Sequence, residues 1–160
     1  WQCATIQCDF ALPERFELNY IDEDGKQKRP IMLHRVILGS LERFMGALIE
    51  HFAGAMPLWL APTQCVIIPV SEKAIEYAKQ VEFLLATADL RVSLDARNER
   101  LQKKVRDAEV EKTPYMVILG EKEAAEGSLS IRSKAEGDIG KKGIEEFIQM
   151  LKKEIEEKVR

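Results

Sequence analysis

Several features that mark particular protein classes are scarce or absent in this sequence. It has three cysteines among 160 residues and no Cys-x-x-Cys pair, which disfavours a disulfide-stapled fold and a self-contained thiolate zinc site. No run of about 18 apolar residues occurs, so no segment is built to cross a bilayer as a helix. The net charge is only −3, which argues against a protein covered with basic charge for duplex nucleic acid. Together these absences predict a reduced, cytoplasmic compartment and no membrane partner.

The composition that is present is typical of a folded globular chain. Hydrophobic residues make up 46% and charged residues 32% of the sequence, and 160 residues suffice for one ordinary domain or two small ones. The chain begins at Trp1 without a methionine or a signal-peptide pattern, in what reads as the middle of a strand. We therefore expect it to be part of a longer protein.

The first 60 residues combine strand periodicity with one amphipathic helix. Residues 1–10 alternate with a period of two, which predicts a strand whose polar face lines a site. Residues 16–21 and 29–38, joined by an Asp- and Gly-containing turn, predict a hairpin. Ser40 is then a suitable N-cap for a helix of period 3.6 that runs to about Phe52.

The remainder alternates between strands and helices. Residues 53–64 are rich in proline and small residues and read as a linker. The alternation of strands and helices that follows predicts a mixed or parallel sheet with helices packed on it, and so an α/β class with α+β elements. The predicted domains are 1–60, 61–64 as the linker, and 65–160; the strands located in the last are 65–70, 91–94, 115–119 and 129–132.

Four features are candidates for chemistry, and each has a plainer interpretation. Gly39 and Ser40 lead a strand into a helix with Arg43 in its first turn, which suits an anion or a flat base, or is simply a corner with a solvated arginine. His34 within an apolar strand is either a metal ligand or a hydrogen-bonded core residue. The remaining candidates are charged stretches.

The basic stretch 97–106 places Arg100, Lys103 and Lys104 one turn apart, as a surface for a phosphate backbone or as an ordinary solvated helix face. The acidic cluster that includes Glu121 and Glu123 falls in a predicted loop, where such clusters usually only face solvent. Neither stretch shows by itself whether its charged side chains bind a ligand or only face solvent.

Longer segments resemble a known family. WQCATIQCDF and RPIMLHRVILGSLERFMGALIEHFAGAMPLWLAP resemble the end of the catalytic domain of threonyl-tRNA synthetases, and ILGSLERF resembles the third motif of class II synthetases. DARNERLQKKVR, TPYMVILGEKE and the final helix are similar to the anticodon-binding domain of the same enzymes. The resemblance covers essentially the whole chain. It implies a residual antiparallel class II sheet with the motif 3 helix, followed by the anticodon-binding domain, which we expect to be a mixed five-stranded sheet with three helices that folds alone.

The resemblance also implies roles in the catalytic part. Arg43 matches the arginine that stacks on adenine and approaches the phosphates of MgATP, with Gly39 and Ser40 beneath the nucleotide. His34 matches one of three zinc ligands, the other two lying outside this chain. Zinc binds the amino group and hydroxyl of threonine in this family, which rejects valine.

The resemblance implies that the first strand lines the threonine and adenylate pocket. Cys3, Thr5 and Gln7 share one strand face and match the threonine pocket. Gln2 matches an adenylate-binding position, but the pleat turns it to the other face.

The second part is implied to read tRNA. Asn98, Glu123 and Arg132 match positions that read anticodon bases, and Lys104 and Arg106 then become phosphate contacts. We therefore expect part of a threonine–tRNA ligase that activates threonine with ATP and transfers it to threonine tRNA, acting as a homodimer in its full-length form. Without motifs 1 and 2, the 160 residues are not expected to be catalytic alone. The alternatives are a stand-alone RNA-binding module and a scaffold domain.

Overall fold

The computed structural model describes residues 2 and 4–159, and the chain forms two compact units that divide between His51 and Phe52. The first unit contains two small antiparallel sheets and two helices. Its elements are β1 (Thr5–Asp9), α1 (Ala11–Arg15), β2 (Tyr20–Ile21), β3 (Gln27–Lys28), β4 (Met32–Val36) and α2 (Leu41–His51).

Pairing in the first unit differs from the predicted hairpin. Only the two-residue strands β2 and β3 pair across the turn, whereas β4 pairs with β1 and sets Gln7 opposite His34. Pro30, which has no N–H to donate, separates β3 from β4 and ends the ladder. The segment before β2 forms α1 because the Asp9 carboxylate accepts hydrogen bonds from the backbone N–H groups of Ala11 and Leu12, at 2.8 and 3.0 Å.

The second unit is a five-stranded mixed sheet, as predicted. The strand order is β6-β5-β7-β8-β9, with β6, β5 and β7 parallel and β8 and β9 antiparallel. Its elements are β5 (Cys65–Pro69), a 3₁₀ turn (Glu72–Ala74), α3 (Ile75–Thr87), β6 (Val92–Leu94), α4 (Leu101–Val110), β7 (Tyr115–Leu119), α5 (Glu121–Glu126), β8 (Ser128–Ser133), β9 (Gly137–Gly143) and α6 (Ile144–Glu157).

Helices cover both faces of this sheet. The helices α3 and α6 bury Leu85 and Phe147 against one face, and α4 packs Ala108 against the other. The interior strand β5 is buried at every position, including Cys65, because it is covered on both faces. Three long helices agree with the prediction. The short helix α5 corrects it, because residues 121–126 were expected to be a loop.

The segment expected to be a linker is part of the second unit. Leu58, Ala61 and Gln64 are buried, and the Gln64 side chain donates to the Leu58 carbonyl at 3.0 Å and accepts from the Arg91 N–H at 2.9 Å. The Arg91 guanidinium donates to the carbonyls of Ala61 and Trp59, at 2.9 and 3.0 Å. Because its backbone polar groups are satisfied inside this unit, the division falls after residue 51 rather than near residue 60.

Candidate nucleic-acid interface

A crevice opens at the carboxyl edge of the parallel strands. The helix α3, which connects β5 to β6, packs on one face of the sheet. The helix α4, which connects β6 back to β7, packs on the other face. Such a reversal leaves a crevice outside the carboxyl ends of the strands, where α/β folds bind ligands. Here it is a cavity of about 90 Å³ lined by residues that follow β5, by Asn98 after β6, and by Lys104 of α4.

The loop that carries Asn98 is held by an ion-pair network. Arg97 donates from Nε and Nη2 to the two carboxylate oxygens of Asp95, at 2.9 and 2.7 Å, and from Nη2 to Asp107 at 2.9 Å. The hydrogen bonds from Arg97 hold the pKa of the Asp95 carboxyl below its usual value. Since Arg97 is engaged by two carboxylates, the exposed Asn98 amide beside it is presented from a fixed loop.

Lys104 was predicted to belong to an exposed basic surface, but the structure buries it. It is only 5% exposed, and its Nζ donates to the backbone carbonyl of Asp95 at 3.0 Å. Its aliphatic stem packs within the unit while the ammonium group supports the Asn98 loop from below. The exposed cations of the basic stretch 97–106 are Arg97, Arg100, Lys103 and Arg106. Arg97 is paired with Asp95 and Asp107, and Lys103 is paired with Glu99.

Glu123 is held at the start of α5. Its Oε2 accepts from the Gly120 N–H at 3.0 Å, and its Oε1 accepts from the Ser130 hydroxyl at 3.1 Å. Burial raises the pKa of the Glu123 carboxyl, but the hydrogen bonds from its own backbone, Gly120, Ser130 and Lys141 outweigh burial and lower it overall. The side chain is therefore an ionised, acceptor-only group near neutral pH.

Arg132 lies on the same face of β8 as Ser130. The side chain of Ile131 between them points into the core, so strand alternation turns Ser130 and Arg132 to the α4 side of the sheet. Arg132 is 44% exposed and pairs with Glu109 of α4 at 2.9 Å. We call Glu123, Ser130, Arg132 and Lys141 the polar sheet face. The structure thus brings Glu123 and Arg132 to one face, while Asn98 lies at the crevice.

In the first unit, the predicted nucleotide corner has the expected local geometry. Gly39 has a φ of +67°, and the Ser40 hydroxyl caps α2 by accepting the Arg43 N–H at 3.1 Å. Arg43 therefore lies in the first turn, where its exposed side chain is next to the positive end of the helix dipole.

The strand pair β1–β4 places the other predicted residues of this unit. Thr5 and Gln7 share one face of β1, Gln2 precedes the strand, and Cys3 lies outside the described residues. His34 is half-buried, and its Nε2 lies 3.1 Å from the Asp9 carboxylate. The contact between Asp9 and His34 was not predicted, although Asp9 shares the face of β1 that carries Thr5 and Gln7.

Metal-ligating side chains do not cluster in the part of the chain that the structure describes. Among residues 2 and 4–159, no group of three or more His, Cys, Asp or Glu side chains is placed to hold a metal ion. In the same described residues, no helix is long and apolar enough to cross a membrane.

Comparisons with known proteins support the geometry. Residues 64–154 match the family model "Anticodon binding domain", and residues 1–52 match "tRNA synthetase class II core domain (G, H, P, S and T)". The chain is 56% identical to a threonine–tRNA ligase of Caldanaerobacter subterraneus subsp. tengcongensis, over 97% of this chain and 24% of that protein. It is 51% identical to the threonine–tRNA ligase of Syntrophomonas wolfei, over 99% of this chain and 25% of that protein.

A solved structure agrees with both matches. The RNA-binding domain of threonyl-tRNA synthetase from Cryptosporidium parvum superposes with a TM-score of 0.83 at 37% identity, covering 96% of this chain and 39% of that one. The chain spans about a quarter of the length of the curated relatives it matches. The resemblance to the carboxy-terminal part of threonyl-tRNA synthetases is confirmed. The chain belongs to the anticodon-binding-domain family, and its first 52 residues match the class II tRNA synthetase core domain.

Proposed function

We propose that this chain is the part of a threonine–tRNA ligase that recognises the anticodon of threonine tRNA and contributes the motif 3 segment of the catalytic site. The observation that carries the proposal is the polar sheet face, to which the ionised Glu123 carboxylate and the Arg132 guanidinium both belong; the Asn98 amide lines the crevice of the same unit. The relatives named above are threonine–tRNA ligases, which supports the choice of amino acid.

The three proposed readers have complementary hydrogen-bonding capacities. Glu123 only accepts, Arg132 only donates, and the Asn98 amide does both. Single-stranded RNA presents unstacked base edges that such groups distinguish, while basic neighbours hold the backbone. The exposed Arg106 suits a phosphate contact, whereas the buried Lys104 suits support of the Asn98 loop.

For the first unit, we propose that Arg43 stacks on the adenine of ATP above the turn at Gly39 and Ser40. A guanidinium in the first turn adds charge to free helix N–H groups, which favours the phosphates of MgATP. Gln2, Thr5 and Gln7 then line the adenylate and threonine pocket, together with Cys3. In the full-length ligase this unit serves a homodimeric enzyme of the cytoplasm.

His34 fits one ligand position of a zinc site. One ring nitrogen is held by the Asp9 carboxylate, and a ligating histidine commonly fixes its ring in this way and leaves the other nitrogen for the metal. When bound, zinc supplies a Lewis acid that selects the amino group and hydroxyl of threonine. The remaining ligands would come from outside this chain, so we expect the 160 residues to bind zinc weakly.

The test of anticodon reading is binding of this chain to threonine tRNA transcripts, with native and substituted anticodon bases, at two salt concentrations. We expect affinity to fall with the base changes, and the Asn98→Ala and Arg132→Ala variants to lose that dependence. Lys153→Ala is the matched control, since it removes a cation from α6 on the other side of the sheet. Equal, salt-sensitive binding of every transcript would contradict base reading and leave only a basic surface.

A further inference from the structure

We propose that Ser130 and Lys141 are positioning residues that fix the direction of the Glu123 carboxylate and thereby set how strictly the chain discriminates anticodon bases. The inference rests on the proposed function above. It adds two residues that the sequence did not single out and that need not touch the RNA.

The Glu123 carboxylate is held from three directions. Gly120 donates its backbone N–H to Oε2, Ser130 donates its hydroxyl to Oε1, and the Lys141 Nζ lies 3.4 Å from Oε1. The side chain is only 14% exposed. Because these groups come from α5's own N-terminus, from β8 and from β9, the carboxylate has one orientation relative to the polar sheet face.

Lys141 reaches Glu123 through the sheet register. It lies directly opposite Ser130 in the β8–β9 ladder, so both side chains approach α5 from adjacent strands. The Lys141 Nζ also donates to Glu126 Oε2 at 2.7 Å, and the Ser128 hydroxyl donates to the same oxygen at 3.2 Å. Lys141 therefore bridges the two carboxylates and is itself held in place by Glu126.

Holding the carboxylate limits what it accepts. An ionised carboxylate offers about four acceptor directions, and three are taken by Gly120, Ser130 and Lys141. One direction is left for a donor on a base edge. Without Lys141 or Ser130 the carboxylate can turn to meet donors in other places, so a mismatched base would be penalised less.

The neighbouring lysine supplies a matched control. Lys142 pairs with Glu146 at the start of α6, on the opposite side of the sheet from Glu123. The Lys142→Gln variant therefore removes the same charge one residue away without touching the polar sheet face.

The experiment measures the ratio of affinities of the 160-residue chain for native and anticodon-substituted threonine tRNA transcripts. For Lys141→Gln and Ser130→Ala we expect the ratio to fall by about two- to fivefold, the range of one partly exposed polar contact. Lys142→Gln is expected to keep the wild-type ratio, and Lys141→Arg to restore most of it. In the Glu123→Gln background, Lys141→Gln should cause no further loss of the ratio, because the two residues act through one carboxylate. The thermal midpoint of each variant is recorded alongside.

Each other outcome overturns a specific statement. If Lys141→Gln weakens every transcript equally and adds to Glu123→Gln, then Lys141 is a phosphate contact and not a positioning residue. If Glu123→Gln lowers the ratio while Lys141→Gln and Ser130→Ala leave it unchanged, the positioning inference fails and the proposed function stands. If the wild-type chain does not discriminate at all, the proposed function fails and this inference with it.

Discussion

In the first unit, α2 carries an apolar stripe at helical spacing and yet none of its side chains is buried, whereas α6 in the second unit buries Phe147, Ile148 and Leu151. Strand β1 leaves Ile6 71% exposed, while β5 is buried throughout. Periodicity in the sequence is similar in both units. It marks which face of an element is suited to burial, but only the second unit supplies enough packed elements to bury that face.

The largest expected effect is that only the second unit folds when each unit is produced alone. Residues 52–160 alone should show a cooperative thermal transition, because their core is complete, and residues 1–51 alone should show none. Circular dichroism during heating measures both. Starting the second unit at residue 63 instead should lower its midpoint, since Leu58 and Ala61 are then missing from the core. A transition in residues 1–51 would contradict the comparison.

A pair of substitutions sharpens the contrast within the intact chain. Phe147 is fully buried and meets the Tyr115 ring edge-on at 5.8 Å, so Phe147→Ala should cost about 3–5 kcal/mol in free energy of unfolding. Met45 is half-exposed on α2, so Met45→Ala should change that free energy by less than about 0.5 kcal/mol. Urea denaturation gives both values. Comparable costs would mean that α2 packs as tightly as α6.

The smallest effect concerns pH within the second unit. Because Arg97 depresses the pKa of Asp95, the folded state gains stability from this carboxylate above its ordinary pKa of about 3.9, and loses it as the pH falls through the lowered value. Asp95→Asn should therefore be less stable than wild type at pH 7, with a difference that shrinks in acid.

Denaturation of residues 52–160 at several pH values below neutral measures this difference. Glu111→Gln, an exposed change just after α4, is the control and should give a small difference. A difference for Asp95→Asn that stays constant down to about pH 3 would show that the ion pair with Arg97 contributes nothing.

Much of the second unit was predictable from residue patterns. The apolar run at residues 65–70 predicted β5, and the apolar stripe of the final helix predicted α6. The number of strands, five, was expected from the family resemblance. The fifth strand, Gly137–Gly143, was not located because glycine and lysine give it no apolar alternation. The short helix α5 was missed for a related reason, since it has no buried side chain and depends on a backbone cap made by Glu123.

The local structure around the candidate residues was more predictable than the contacts that those residues make. The capping role of Ser40 follows from local sequence. By contrast, the burial of Lys104 depends on a carbonyl of Asp95 brought close by the end of β6, and the contact between Lys141 and Glu123 depends on strand register. The pairing of His34 with Asp9 likewise joins residues 25 positions apart. Contacts of this kind arise from the fold and have no signature in a single stretch of sequence.

The complete burial of β5 gives the second unit an internal chemical reporter. Burial raises the pKa of the Cys65 thiol well above its usual value, and its side chain is inaccessible to solvent. A thiolate-seeking alkylating reagent at neutral pH can therefore modify Cys65 only during moments when β5 opens. Cys8, exposed on β1, reacts without such opening. The rate of alkylation at Cys65 thus measures how readily β5 separates from its neighbours in the sheet.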